Sequence, residues 1–176
     1  MHTRPRETTM WKWATIIVTF LCMIGVLVPM TQAADGTMTG RFSLHIIKAE
    51  TIEVGDVPGH VLGIAQQTGV VFYSTGEVAR KTNTDTFDYV KGKGTFVDYS
   101  YYTHQDGSIL FTKGGGTAIP LDGGKGTAFE GIFECTGGTG RFEGFKGTGT
   151  FKGGRIGDIK SGADYYFDFT MNCKKP

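Results

Sequence analysis

Toward the C-terminal end of the chain, Tyr165, Phe167, Phe169, Met171 and Cys173 alternate with Asp164, Tyr166, Asp168, Thr170 and Asn172. A period of two places the sets on opposite faces, so the segment reads as a strand with one apolar, inward side and one wet side. Phe129, Gly131, Phe133 and Cys135 alternate with Glu130, Ile132 and Glu134 in the same way. From residue 34 onward the pattern predicts eight such runs: Arg41–Glu50, His60–Tyr73, Gly76–Val90, Gly92–His104, Ser108–Ala118, Gly126–Thr136, Arg141–Lys152 and Ala163–Cys173. Helical spacing with start and stop signals is missing over that stretch, and glycine recurs too often for a stable helix. Asp106-Gly107, Leu121-Asp122-Gly123-Gly124 and Gly137-Gly138-Thr139-Gly140 supply turn signals between runs. The prediction is an all-β fold: a single closed antiparallel barrel of about eight strands. Inward glycines (Gly131, and Gly147 and Gly149 beside Phe145 and Phe151) suit strands that bend or pack closely in a small barrel.

The first segment follows a different rule. Arg4, Arg6 and Lys12 precede an apolar run from Ala14 to Val28, and Thr31-Gln32-Ala33 offers small residues for a signal peptidase. Residues 1–33 therefore read as an export signal, with an uncleaved anchor as the alternative, and 34–176 as the barrel domain. The run is shorter than the roughly 20 residues of a membrane span. The 33 residues carry three of the 18 Lys+Arg and one of the 17 Asp+Glu, so the remainder holds 15 basic and 16 acidic residues, net −1. Nucleic acid is not expected as a partner, since it selects a basic excess. An outer-membrane barrel fits poorly too, because Asp, Glu and Lys recur on several wet faces.

Candidate chemistry is sparse. Gly138-Thr139-Gly140-Arg141-Phe142-Glu143-Gly144 lacks the spacing of the dinucleotide fingerprint, and Gly124-Lys125-Gly126-Thr127 that of a phosphate loop. No serine sits in a nucleophile elbow. His45, His60 and His104 show no zinc-type spacing, so neither a metal nor a cofactor is expected; His60 reads as a solvated or turn-bonded rim residue. Among carboxylates, Glu50, Glu53, Glu77 and Asp98 stand out. Asp98 shares a parity with Phe96, Ser100 and Tyr102. The opposite parity, Val97, Tyr99 and Tyr101, offers three large residues for a core, so Asp98 is expected to face solvent. Arg141 and Glu143 read as a surface pairing.

Cys135 and Cys173 read as a disulfide in an exported chain, with buried thiols as the alternative. Strands six and eight run the same way in an up-and-down barrel, so both cysteines fall at one rim with one strand between them. That separation is about 9–10 Å, against a limit of roughly 7 Å for a bridge, so bridging requires the strands to converge.

The order of short motifs also carries a resemblance. Gly59-His60-Val61-Leu62-Gly63, Thr75-Gly76-Glu77-Val78-Ala79, Gly92-Lys93-Gly94-Thr95-Phe96 and Gly137-Gly138-Thr139-Gly140-Arg141-Phe142-Glu143-Gly144-Phe145 occur in succession. Together they resemble the allene oxide cyclase and dirigent superfamily, the Gly-Thr-Gly-Arg-Phe block being the most specific. The resemblance implies an eight-stranded barrel with an apolar cavity, in some members steering cyclisation or coupling of a hydrophobic substrate by shape. It transfers no catalytic residue to this chain. The functional expectation is a small hydrophobic molecule bound in the lumen by Phe129, Phe133, Phe145, Phe151, Tyr165, Phe167, Phe169 and Met171. The alternatives are a cyclase or isomerase on a lipid-derived or polyketide-like substrate, and a packed structural protein of the cell envelope.

Overall fold

The computed structural model describes residues 36–121, 126–157 and 163–176. The segment read as an export signal lies outside the described residues. Eight strands follow one another: β1 (Thr37–Glu53), β2 (His60–Tyr73), β3 (Val78–Val90), β4 (Lys93–His104), β5 (Ile109–Pro120), β6 (Thr127–Thr139), β7 (Lys146–Ile156) and β8 (Asp164–Lys174). Each pairs antiparallel with the next, and β1 closes on β8 from Thr37↔Asn172 to His45↔Asp164, giving a closed barrel. No described helix is long and apolar enough to cross a membrane. Alternation holds best on β8, where Tyr165, Phe167, Phe169, Met171 and Cys173 are buried and their neighbours exposed.

One end of the barrel is plugged. Gly140–Phe142 forms a 3-10 turn between β6 and β7, so the seventh strand begins at Lys146 rather than Arg141. Gly140 and Gly144 both take positive φ (58° and 78°), which breaks the extended run. Phe145 consequently leaves the strand and packs edge-on against Phe142, centroids 5.4 Å apart, inside the plug.

The same end holds the cysteines. In register, Cys135 of β6 faces Gly147 of β7, and Gly147 faces Cys173 of β8. Their Cα atoms are 6.1 Å apart, at disulfide distance, well inside the spacing of a flat sheet. The sheet folds sharply at Gly147, where a Cβ would run into the Asn172 carbonyl oxygen and Cys173 Cα. Only a residue without a side chain lets β6 and β8 converge there.

Asp98 corrects the sequence reading: it points inward and is buried, whereas Tyr99 and Tyr101 lie on the outside. The cause is the two-residue turn Lys91-Gly92, both at positive φ (52° and 79°), which fixes the β3–β4 register at Val90↔Lys93. Residues directly opposite share a face. Phe87, inward, sits opposite Phe96, and the same ladder turns Asp98 inward opposite Asp85.

Candidate functional site

The lumen has two unlike walls. The apolar wall comes mainly from β1 and β6–β8 and carries Phe42, Leu44, Phe129, Phe133, Phe151, Tyr165 and Phe167. Facing it, β2–β5 contribute Gln67, Lys81, Asn83, Asp85, Asp98, Tyr102 and Thr112. Between them is a cavity of about 40 Å³. One water needs about 10–15 Å³ on this measure, so the space takes roughly three. It runs from mid-barrel toward the end opposite the plug, where Ile46, Ala65 and Tyr89 line it.

Five of the eight sequence-predicted binding residues line this cavity: Phe129, Phe133, Phe151, Tyr165 and Phe167. The other three do not. Phe169 and Met171 are buried deeper, toward the plug, where Phe169 meets Tyr73 edge-on at 5.6 Å. Phe145 belongs to the plug itself. The inward glycines serve close packing. A Cβ on Gly149 would strike the Phe133 ring, one on Gly131 the Phe151 ring, and one on Gly153 the Phe167 ring. The room they leave is taken by rings of adjacent strands, which is why the cavity is small.

The polar wall holds one connected network and, apart from it, a Lys81–Tyr102 pair. Asn83 Nδ2 donates to Gln67 Oε1 (3.3 Å), Gln67 Nε2 donates to Asp85 Oδ2 (3.4 Å), and Ser100 Oγ contacts Asn83 Oδ1 (2.5 Å) and Asp98 Oδ2 (3.0 Å). Lys81 Nζ donates to Tyr102 Oη (2.9 Å) and lies over the rings of Phe42 (4.4 Å) and Tyr102 (4.7 Å). Burial lowers the Lys81 ammonium to about 8, against the pull of Asp98 and Asp85. Burial likewise raises the Asp85 carboxyl to about 7, helped by the Asp98 charge. Asp85 Oδ1 is buried without a hydrogen-bond partner. Such an atom is costly unless something else meets it.

Sequence reasoning missed Lys81, Asn83 and Asp85. They lie in Arg80–Asp88, polar at both parities until Phe87, so alternation alone gives no face. The usable signal was the Lys91-Gly92 turn, which pairs this run with Phe96, Asp98 and Ser100.

A second polar cluster pins the plug. Arg141, read from sequence as a surface pairing, instead bonds the Glu77 carboxylate and lies 3.5 Å from Asp106 Oδ2, with its guanidinium over Phe142. His104 Nδ1 is 2.9 Å from Glu77 Oε1 and 2.8 Å from Arg141 Nη2, and Nε2 is 3.5 Å from Tyr73 Oη. Burial lowers the His104 pKa, and the Glu77 contact opposes it. His60 is bonded at the rim, on one side to Asp56 in the β1–β2 turn. It sits between Asp56 (2.5 Å) and Asp88 (2.8 Å), whose hydrogen bonds raise its pKa. Glu50 pairs with Lys48 on the exposed surface, and Glu53 is exposed. Among the described residues no group of three or more His, Cys, Asp or Glu could hold a metal ion.

No protein-family model, curated protein or solved structure matches this chain.

Proposed function

We propose that the barrel binds one compact small molecule in its lumen, its apolar part against the aromatic wall and a hydrogen-bonding head group against Lys81, Asp85 and Asp98. The observation that carries this reading is the buried polar wall. Sequestering an amine and two carboxylates costs several kcal/mol, and one carboxylate oxygen still lacks a partner beside an open space. A barrel selected only for packing gains nothing from that arrangement. The cavity volume sets the size. It is far below the roughly 300 Å³ of a drug-sized site, so the occupant has only a few heavy atoms. The likeness to the allene oxide cyclase and dirigent barrels supports a lumenal site, and the cysteine pair at disulfide distance supports an exported chain.

Native mass spectrometry of protein from its own host tests the reading. One non-covalent equivalent should be retained by the parent and lost from Thr112→Leu, which fills the cavity. Bare protein in both samples would leave the packed structural barrel as the better account.

A second reading, acid–base isomerisation of the bound molecule, is favoured by one observation. Asp85, pushed to about 7, is poised to give or take a proton near neutrality in a site that holds little water. Turnover that disappears in Asp85→Asn while binding persists would distinguish it from binding alone.

A further inference from the structure

We propose that Lys81 is a nucleophile that captures a short-chain aldehyde as an imine inside the lumen, an inference that rests on the lumenal binding argued above. Lys81 carries the only amine among the residues that line the cavity. A buried lysine kept for structure is normally paired with a carboxylate. Here the one hydrogen bond of Nζ goes to a phenol, and the remaining contacts are two aromatic faces. Two of its three donor positions are therefore uncommitted.

The surroundings suit imine chemistry. Lys81 stands opposite Tyr102 in the β3–β4 ladder, and Asp85 stands opposite Asp98 four residues along the same strands. The amine, two carboxyls and a phenol thus share one wall. The free amine adds to the carbonyl carbon, forming the C–N bond, while the carbonyl oxygen takes a proton from the Asp85 carboxyl. Nitrogen then returns one proton to the Asp85 carboxylate. Asp85 passes it to the hydroxyl oxygen, the C–O bond breaks and water leaves. The product is a protonated imine whose charge faces the Asp85 and Asp98 carboxylates, and the balance is amine, aldehyde and the Asp85 carboxyl proton to protonated imine, Asp85 carboxylate and water. No oxidant or reductant is needed. At about 40 Å³ the cavity admits an aldehyde of about three or four heavy atoms.

Nucleophilicity is available near neutrality. Burial brings the amine to about 8, so about a tenth of it is unprotonated at pH 7, against about one part in three thousand for a solvated lysine. The titratable groups facing Nζ are Asp85 from its own strand and Asp98 and Tyr102 from β4. Tyr89 of β3 and Tyr165 of β8 also line the cavity, and burial raises both phenols, while the lining residues from β1, β2 and β5 (Phe42, Gln67 and Thr112 among them) do not titrate.

The full chain is incubated with propanal and cyanoborohydride, which reduces an imine to a stable propylamine, and the products are mapped by peptide mass. The expected result is single propylation at Lys81, about tenfold faster than at any exposed lysine such as Lys48 or Lys93. The rate should rise with pH up to about 8, and the label should disappear in Lys81→Met and in Lys81→Arg. Labelling spread over surface lysines with Lys81 unmodified would overturn the proposal, and that outcome needs no variant to fold. Propan-1-ol, which has no carbonyl, separates the two layers. If it raises the melting temperature of the parent but not of Thr112→Leu while Lys81 stays unlabelled, the nucleophile falls and the lumenal site stands. If neither compound acts, both fall.

Discussion

At the scale of single residues, Lys81 and Asp85 carry opposite pH signatures. Asp85 titrates near 7 in the fold and near 3.8 when unfolded, so the folded chain holds the extra proton between those values. Its contribution to stability is present below about 3.8 and is lost as pH rises toward 7. For Lys81 the unfolded chain holds the extra proton between about 8 and 10.5, so stability recovers as pH rises through that window. Urea unfolding should show Asp85→Asn losing the acid-side decline and Lys81→Met losing the alkaline recovery. Lys81→Met should also stabilise the protein at pH 7 by about 2 kcal/mol, since it removes a buried charge without an ion pair. Variant profiles parallel to the parent's would show that neither group is buried as described. These were the least legible residues. The bulk of Tyr99 and Tyr101 favours an outward Asp98, but side-chain volume yields to the register set one turn away.

At the scale of elements, the β8 and β6 alternations were plain because every second residue there is aromatic, sulfur-bearing or glycine. The plug was not, since Arg141-Phe142-Glu143 also alternates and only the positive-φ glycines on either side turn it into a cap. Its anchorage makes a prediction. Arg141→Met should lower stability by about 2 kcal/mol, because Glu77 and Asp106 lose their partner in a partly buried place. Thermal unfolding reads this, and a melting temperature equal to the parent's would mark the cluster as decorative. The cysteine pair spans 38 residues, so replacing both with serine should cost about 3–4 kcal/mol on the chain-entropy account. Intact mass with and without reductant checks the bond itself. The shared rim and the one intervening strand are legible in the sequence, whereas the close approach of β6 and β8 depends on Gly147.

At the scale of the whole molecule, closure leaves no strand edge among the described residues, so the strands present the inside of the barrel and its outer faces. The exterior is uneven. The outward positions of β2 and β4 (Leu62, Ile64, Val97, Tyr99 and Tyr101 among them) carry no charge between Leu62 and Phe72 or between Thr95 and Thr103. Charged side chains such as Arg41, Lys152 and Asp168 stand on β1, β7 and β8, so the apolar exterior does not run around the barrel. Inside, rings seated over glycines fill most of the volume. Phe167→Ala should therefore cost about 3–5 kcal/mol and enlarge the cavity, and a hydrophobic dye excluded from the parent should enter if the variant stays folded.

On the proposed reading the lumen admits a compact molecule against its polar wall. Amide shifts followed by NMR during titration with straight-chain alcohols of increasing length test it most directly. Ethanol and propan-1-ol should bind saturably in the millimolar range, as a ligand of three or four heavy atoms allows, and hexan-1-ol should not. The shifts should centre on Asn83, Asp98 and Thr112, which line the cavity. Shifts confined to outward positions such as Val97 and Tyr99, or none that saturate, would contradict it.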